Sequence, residues 1–203
     1  MLDRPIIYLI TKGDVTAENF AESRGQILDV VRAAVDAGVT LIQIREKNLP
    51  ARSVFELTRA CVEITRGTAT RLLVNERFDI ALAAGADGVQ LTSGSMSAAM
   101  VRRSLPKIFL IGVSIHSAEE LASTSVADFV VFGPVFETPG KNAVGIEALR
   151  DVCVSSALPV VAIGGVDASN FREIIDAGAA GFAAIRCLND IDSMHEIVKA
   201  ARQ

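Results

Sequence analysis

Short apolar runs return along this chain at regular intervals, and each ends in polar or glycine-bearing residues. The runs at 6–11, 40–46, 71–76, 88–92, 108–114, 128–135, 159–165 and 181–186 predict eight strands. They are too continuous for a strand with one wet face, which would alternate, and they suit parallel strands buried on both faces. Between them the apolar positions shift to helical spacing. The clearest case is "QILDVVRAAVDAG", which places Ile27, Val30, Val31, Ala34 and Val35 on one face. Three segments share one plan: "AAVDAGVTLIQIRE" (33–46), "ALAAGADGVQL" (81–91) and "EIIDAGAAGFAAI" (173–185) each run from a helical end through Ala-Gly into an apolar strand. The glycine is expected to end the helix in a left-handed conformation. "STSVADFVVFGPV" (123–135) is a weaker copy without it.

Eight alternating strand–helix units predict an α/β protein, a single small (β/α)8 TIM barrel spanning 1–203. The alternative is an open, doubly wound sheet. No GxGxxG follows the first strand, which weakens its dinucleotide-binding version.

Composition narrows the function classes. Half of the 203 residues are hydrophobic, 22% are charged and the net charge is −4, as in a compact soluble domain without a basic nucleic-acid footprint. No apolar run reaches membrane-span length, and "MLDRPIIYLI" has neither the basic region nor the cleavage site of a signal peptide. Cys61, Cys153 and Cys187 show no CxxC spacing and read as reduced, mostly buried thiols of a cytoplasmic protein.

A barrel keeps its chemistry at the C-terminal ends of its strands. The second strand ends in "QIREK", where Gln43, Arg45 and Lys47 alternate and so share one side. Arg and Lys at that place suit a phosphate or carboxylate; the plainer alternative is an ion pair with Glu46 or a neighbouring acid. "AIGGV" offers the backbone N–H groups of Gly164 and Gly165, at the position where barrels often build a phosphate cup. His116 follows the fifth strand in "SIHSAEE", where Ser117 and Glu120 look like a capping box for the next helix. It is read either as a site residue or as part of the capping turn. His195 reads as a surface residue. In "QLTSGSMS", Ser95 or Ser97 is expected to cap the helix after the fourth strand.

Taken in order, "QIREK", "VNERFDIAL", "ADGVQL", "GVSIHSAEE", "VFGPVFETPGK" and "VAIGGV" resemble the thiamine phosphate synthase / TenI family over most of the chain. The family's fold is the small (β/α)8 barrel. Its synthases join a pyrimidine methyl diphosphate to a thiazole phosphate and release pyrophosphate, holding Mg²⁺ through two acids. Its TenI members resemble them but act, where an activity is known, as thiazole tautomerases. "QLTSGSMS" resembles the TenI turn: Ser95 stands where the synthase has its second Asp, and Glu76 where it has its first. Gly140 replaces a hydroxyl of the synthase pattern, and Arg186 replaces a small residue.

The resemblance therefore implies a thiazole tautomerase, an isomerase, with no metal and no cofactor. His116 would serve both proton steps. Gly164, Gly165, Ala184 and Ile185 would hold the phosphate. Gln43, Arg45, Lys47, Asn75, Ser114, Thr138, Lys141 and Arg186 would bind the rest of the substrate. The expected partner is a small-molecule thiazole phosphate, with no nucleic acid, no membrane, and a homo-oligomer left open. Two other readings stand beside it: a thiamine phosphate synthase in which Glu76 and water hold Mg²⁺, and a non-catalytic binder of thiamine intermediates acting in regulation.

Overall fold

The computed structural model describes residues 2–203. Eight parallel strands close into a barrel in sequence order, with the first pairing to the last. They are β1 (Ile6–Ile10), β2 (Leu41–Ile44), β3 (Arg71–Asn75), β4 (Gly88–Leu91), β5 (Leu110–Ile115), β6 (Phe129–Phe132), β7 (Val160–Ile163) and β8 (Gly181–Ala184). The helices are α1 (Phe20–Ala37), α2 (Ala51–Thr65), α3 (Phe78–Ala84), α4 (Ala98–Arg103), α5 (Ile146–Ser155), α6 (Phe171–Asp176) and α7 (Ile191–Ala201). The open-sheet alternative is excluded. No helix among the described residues is long and apolar enough to cross a membrane.

Both faces of the strands are buried, as the unbroken apolar runs require. Along β1, Ile6, Tyr8 and Ile10 enter the barrel interior with Leu41, Leu73, Phe129 and Val161. Ile7 and Leu9 turn outward into the larger layer between sheet and helices. The interior is a solid plug, with the Tyr8 and Phe129 rings meeting edge to face at 5.8 Å. Gly38 and Gly85 end α1 and α3 in the left-handed conformation, and Ser97 caps α4 by accepting the Met100 N–H.

Several boundaries differ from the sequence reading. β2 stops at Ile44 and β7 at Ile163, short of 46 and 165, because the chain leaves the ladder to form the barrel mouth. Between β5 and β6 stands only a 3₁₀ turn, Glu119–Ser123. The expected capping box is absent there: Glu120 accepts the His116 N–H at 3.1 Å, one residue before Ser117.

Candidate active site

The mouth at the strands' C-terminal ends holds a cavity of about 490 Å³. A second hollow of about 200 Å³ adjoins it and shares Thr138, Pro139, Ile163, Gly164 and Ile185. The larger cavity is lined by ten of the residues expected from sequence. Gln43, Arg45 and Lys47 come from β2 and its extension, and Asn75, Ser114 and His116 from β3 and β5. Thr138 and Lys141 come from the loop after β6, Gly164 and Ile185 from the ends of β7 and β8. Gly165, Ala184 and Arg186 line the smaller hollow. Every sequence-predicted site residue is thus brought to one mouth.

Above the apolar plug lies a polar layer. The Tyr8 hydroxyl donates to Gln90 Oε1 at 3.3 Å, and Gln90 Nε2 donates to Ser114 Oγ at 3.1 Å. Burial pushes the Tyr8 hydroxyl well above its ordinary pKa, so it stays a donor. Gln43 Nε2 donates to Asn75 Oδ1 at 3.0 Å, and Asn75 Nδ2 to Glu76 Oε2 at 3.1 Å. Gln90 was missed in the sequence reading. Its signal was there: in "GVQL" it is the polar residue on the inward-facing parity of a buried strand.

Arg45 does not pair with Glu46. Glu46 is 4% exposed and faces away from the cavity, where its two oxygens accept the N–H groups of Gly13 (3.2 Å) and Val15 (3.1 Å). The loop it holds runs beneath Arg45. Gly13 has φ +80, and a Cβ there would stand 2.9 Å from the Arg45 carbonyl oxygen, so glycine is favoured where this loop passes Arg45. The Arg45 N–H donates to Thr11 Oγ1 at 2.8 Å. Among the described residues Arg45 makes no ion pair, and its charge is available to the mouth.

His116 is held by its Nδ1, 2.8 Å from the Gly133 carbonyl oxygen. A carbonyl only accepts, so Nδ1 carries a proton, and in the neutral ring Nε2 is the acceptor. Thr138 and Lys141 are fixed to each other by a tight antiparallel turn through Gly140. On the far side, the N–H groups of Gly164 and Gly165 make no backbone hydrogen bond among the described residues. They are free to receive an anion. The thiols are not part of this chemistry: burial pushes Cys61 up to about 12, and Cys153 and Cys187 up to about 11.

Glu76 follows β3, next to the cavity-lining Asn75. Thr92 Oγ1 and Ser95 Oγ donate to its Oε1 (the second at 3.4 Å), Asn75 Nδ2 donates to its Oε2, and Lys47 Nζ lies 3.9 Å from Oε2. The Thr92 bond above all, then Lys47, Ser95 and Asn75, hold its carboxyl below the usual value against the opposing effect of burial. A carboxylate has about four acceptor positions, and three of them are taken by these hydrogen bonds, with the Lys47 ammonium beside the fourth. Ser95 also accepts the Thr92 N–H at 2.9 Å, so Glu76 and Ser95 together brace the turn after β4. No three His, Cys, Asp or Glu side chains cluster as metal ligands among the described residues. This donor set does not fit a Mg²⁺ centre built on two carboxylates.

Fold and mouth together define a class: a small (β/α)8 barrel whose mouth carries side-chain cations and unpaired backbone N–H groups, a lining suited to small phosphorylated molecules. The particular family follows from comparison. The thiamine monophosphate synthase (TMP-TENI) family profile matches residues 7–188, and the chain belongs to that family. A thiamine-phosphate synthase of Methanoregula boonei is 38% identical over 202 residues, covering 97% of this chain and 89% of the relative. One of Methanoculleus marisnigri is 39% identical over 177 residues, covering 84% and 83%. The structure of a thiamine phosphate pyrophosphorylase from Pyrococcus furiosus superposes with a TM-score of 0.84 at 32% identity, covering 98% and 96%.

These relatives overturn the expectation of a tautomerase. The names point to a transferase, not an isomerase. The physical reason for the error lies in Ser95. A hydroxyl in place of a carboxylate changes what holds a cation, but it does not fix which bond the enzyme makes.

Proposed function

We propose that this chain is a thiamine-phosphate synthase, one barrel domain that joins a pyrimidine methyl diphosphate to a thiazole phosphate. The observation that carries the reading is the pair of anion subsites in one mouth, in a chain whose near-full-length relatives bear that name. Two substrates each bring a phosphate group, and the mouth offers two different ways of holding one. The glycine turn at 164–165, with Ala184 and Ile185 beside it, would take the thiazole phosphate on backbone N–H groups. Arg45, Lys47 and Lys141 would take the diphosphate.

The chemistry is a displacement. The thiazole ring nitrogen gives its lone pair to the pyrimidine methylene carbon while the bond from that carbon to the diphosphate oxygen breaks. The electron pair departs with pyrophosphate, and the ring nitrogen becomes cationic. No proton moves in this step. His116, with Nε2 as an acceptor, therefore contacts substrate in this reading rather than shuttling a proton. Gln43, Asn75 and Ser114, already tied into hydrogen-bonded chains, would orient the pyrimidine, and Thr138 the diphosphate. What the chain contributes is mainly proximity and preorganised charge, which supply much of the acceleration in such transfers.

The setting we propose is the cytoplasm, where three free thiols persist without pairing. The test is direct: purified protein is offered both substrates, with millimolar Mg²⁺ in one arm and a chelator in the other, and thiamine phosphate and pyrophosphate are measured. Stoichiometric formation of both, in either arm, is expected. Absence of product in both arms would overturn the reading.

A further inference from the structure

We propose that this chain holds its diphosphate with side-chain cations alone, through Arg45, Lys47 and Lys141, and not through a metal ion ligated by protein carboxylates. The inference rests on the synthase reading for the identity of the diphosphate, but the arrangement that suggests it is independent of that reading. The walls of the larger cavity carry these three cations and no Asp or Glu. Glu76, beside the lining residues Asn75 and Thr92, is turned to another task. Its backbone sits at φ +60, and its carboxylate accepts from Thr92, Ser95 and Asn75, which ties the turn after β4 to the end of β3.

A cation entering there would have to strip those donors and pass the Lys47 ammonium, which already lies 3.9 Å from Glu76 Oε2. Lys47 thus stands where a cation would bind. Ser95 offers a neutral oxygen, and Mg²⁺, which dehydrates reluctantly, gains little from that.

The charge balance works without a metal. A diphosphate ester carries about three negative charges above the second phosphate pKa near 6. Three side-chain cations line the cavity, and Arg186 lies at the adjoining hollow. The side chain of Lys47 is 47% exposed, and Lys141 stands on a short exposed turn, so both can swing onto an anion as it binds. In the displacement, the electron pair leaving with pyrophosphate would be met by the guanidinium and ammonium charges gathered on it. No proton, oxidant or further reactant is needed for the step to balance.

Titration calorimetry with inorganic pyrophosphate separates the two arrangements. Wild-type protein in chelator is expected to bind pyrophosphate, and millimolar Mg²⁺ is expected to leave the affinity unchanged within threefold or to weaken it. Lys47→Ala or Lys141→Ala should weaken metal-free binding at least tenfold, with circular dichroism unchanged. Binding seen only with Mg²⁺, tightening by Mg²⁺ beyond threefold, or metal-free affinity untouched by both lysine variants would overturn the proposal. The synthase assay keeps the two claims apart. Product formed in Mg²⁺ but not in chelator overturns metal-free handling and leaves the function standing. Metal-free pyrophosphate binding without product in either arm supports the cation site and overturns the function.

Discussion

The two sides of the barrel mouth are built by different means. On the β2–β4 side everything is side chain: Arg45 and Lys47 project from an extended segment, and Gln43, Asn75, Glu76, Thr92 and Ser95 form a chain of hydrogen bonds behind them. On the β7–β8 side most of the wall is backbone. Gly164 and Gly165 present N–H groups, Ala183, Ala184 and Ile185 close the hollow with small or apolar groups, and Arg186 adds a cation at its edge. Side-chain cations can be long, mobile and strong, and they suit a group that must bind, react and depart. A backbone cup is fixed by the fold and suits a phosphate that is only a handle. In the synthase reading we propose, this difference lets one mouth hold two phosphorylated substrates and treat only one as a leaving group.

Breaking the cationic side should have the largest effect. Arg45→Ala removes a charge-assisted donor pair worth about 1.5–3 kcal/mol, so kcat/KM for the diphosphate substrate should fall by roughly ten- to a hundredfold, with melting temperature nearly unchanged. Steady-state kinetics with each substrate varied in turn checks this; an equal loss for the thiazole phosphate would erase the division between the two sides.

The backbone side answers next. Gly165 has φ +66, and a Cβ there would stand 2.6 Å from Phe136 Cβ. Gly165→Ala should raise KM for the thiazole phosphate by about tenfold and cost about 1–3 kcal/mol of stability from backbone strain. Kinetics and denaturant unfolding read the two effects separately.

Both of these positions were legible in the sequence, for a simple reason. "QIREK" and "AIGGV" lie at the ends of apolar runs, and a parallel barrel puts all such ends at one mouth. The eight strands were legible because burial on both faces leaves unbroken apolar runs. Their ends were not, because residues such as Glu46 and Gly165 continue the run in sequence while the backbone has already left the ladder. The partner of Glu46 was out of reach as well. An ion pair of Arg45 with Glu46 or a neighbouring acid was the plainer alternative; Glu46 instead accepts backbone N–H groups more than thirty residues upstream, and a main-chain donor has no letter in the sequence. The branch of the family was misread from Ser95, whose bonds to Thr92 and Glu76 brace a turn.

Its bonds to the Gly13 and Val15 N–H groups make Glu46 a useful probe of how the cationic side is held. Glu46→Gln keeps one acceptor and sets an NH₂ against the other buried N–H. It should cost about 1–3 kcal/mol of stability, and it should raise KM for the diphosphate a few-fold more than KM for the thiazole phosphate. Paired with Arg45→Ala in a double-mutant cycle, the KM effect should be non-additive; simple additivity would mean that the loop does not position Arg45.

The smallest effect is expected at Glu76. Its carboxyl is held below the ordinary value of 4.5, so the stability it adds is present above that range and is lost as pH falls through the lowered value. The melting temperature of wild type should exceed that of Glu76→Gln at pH 7 by an amount worth less than about 1 kcal/mol, given its partial exposure to solvent. The gap should close as the pH falls below 4.5. A gap that persists at pH 3 would assign the difference to packing.

The ring pair of Tyr8 and Phe129 has an electrical consequence as well as a packing one. A dry aromatic stopper under the polar layer is a medium of low permittivity, and it cannot screen the charges above it. Field lines from Arg45, Lys47 and Lys141 are pushed outward through the opening, as light is by a mirror behind a lamp. A chain of net charge −4 thereby gains a local funnel for polyanions, and capture of the diphosphate should slow steeply as salt shortens the Debye length.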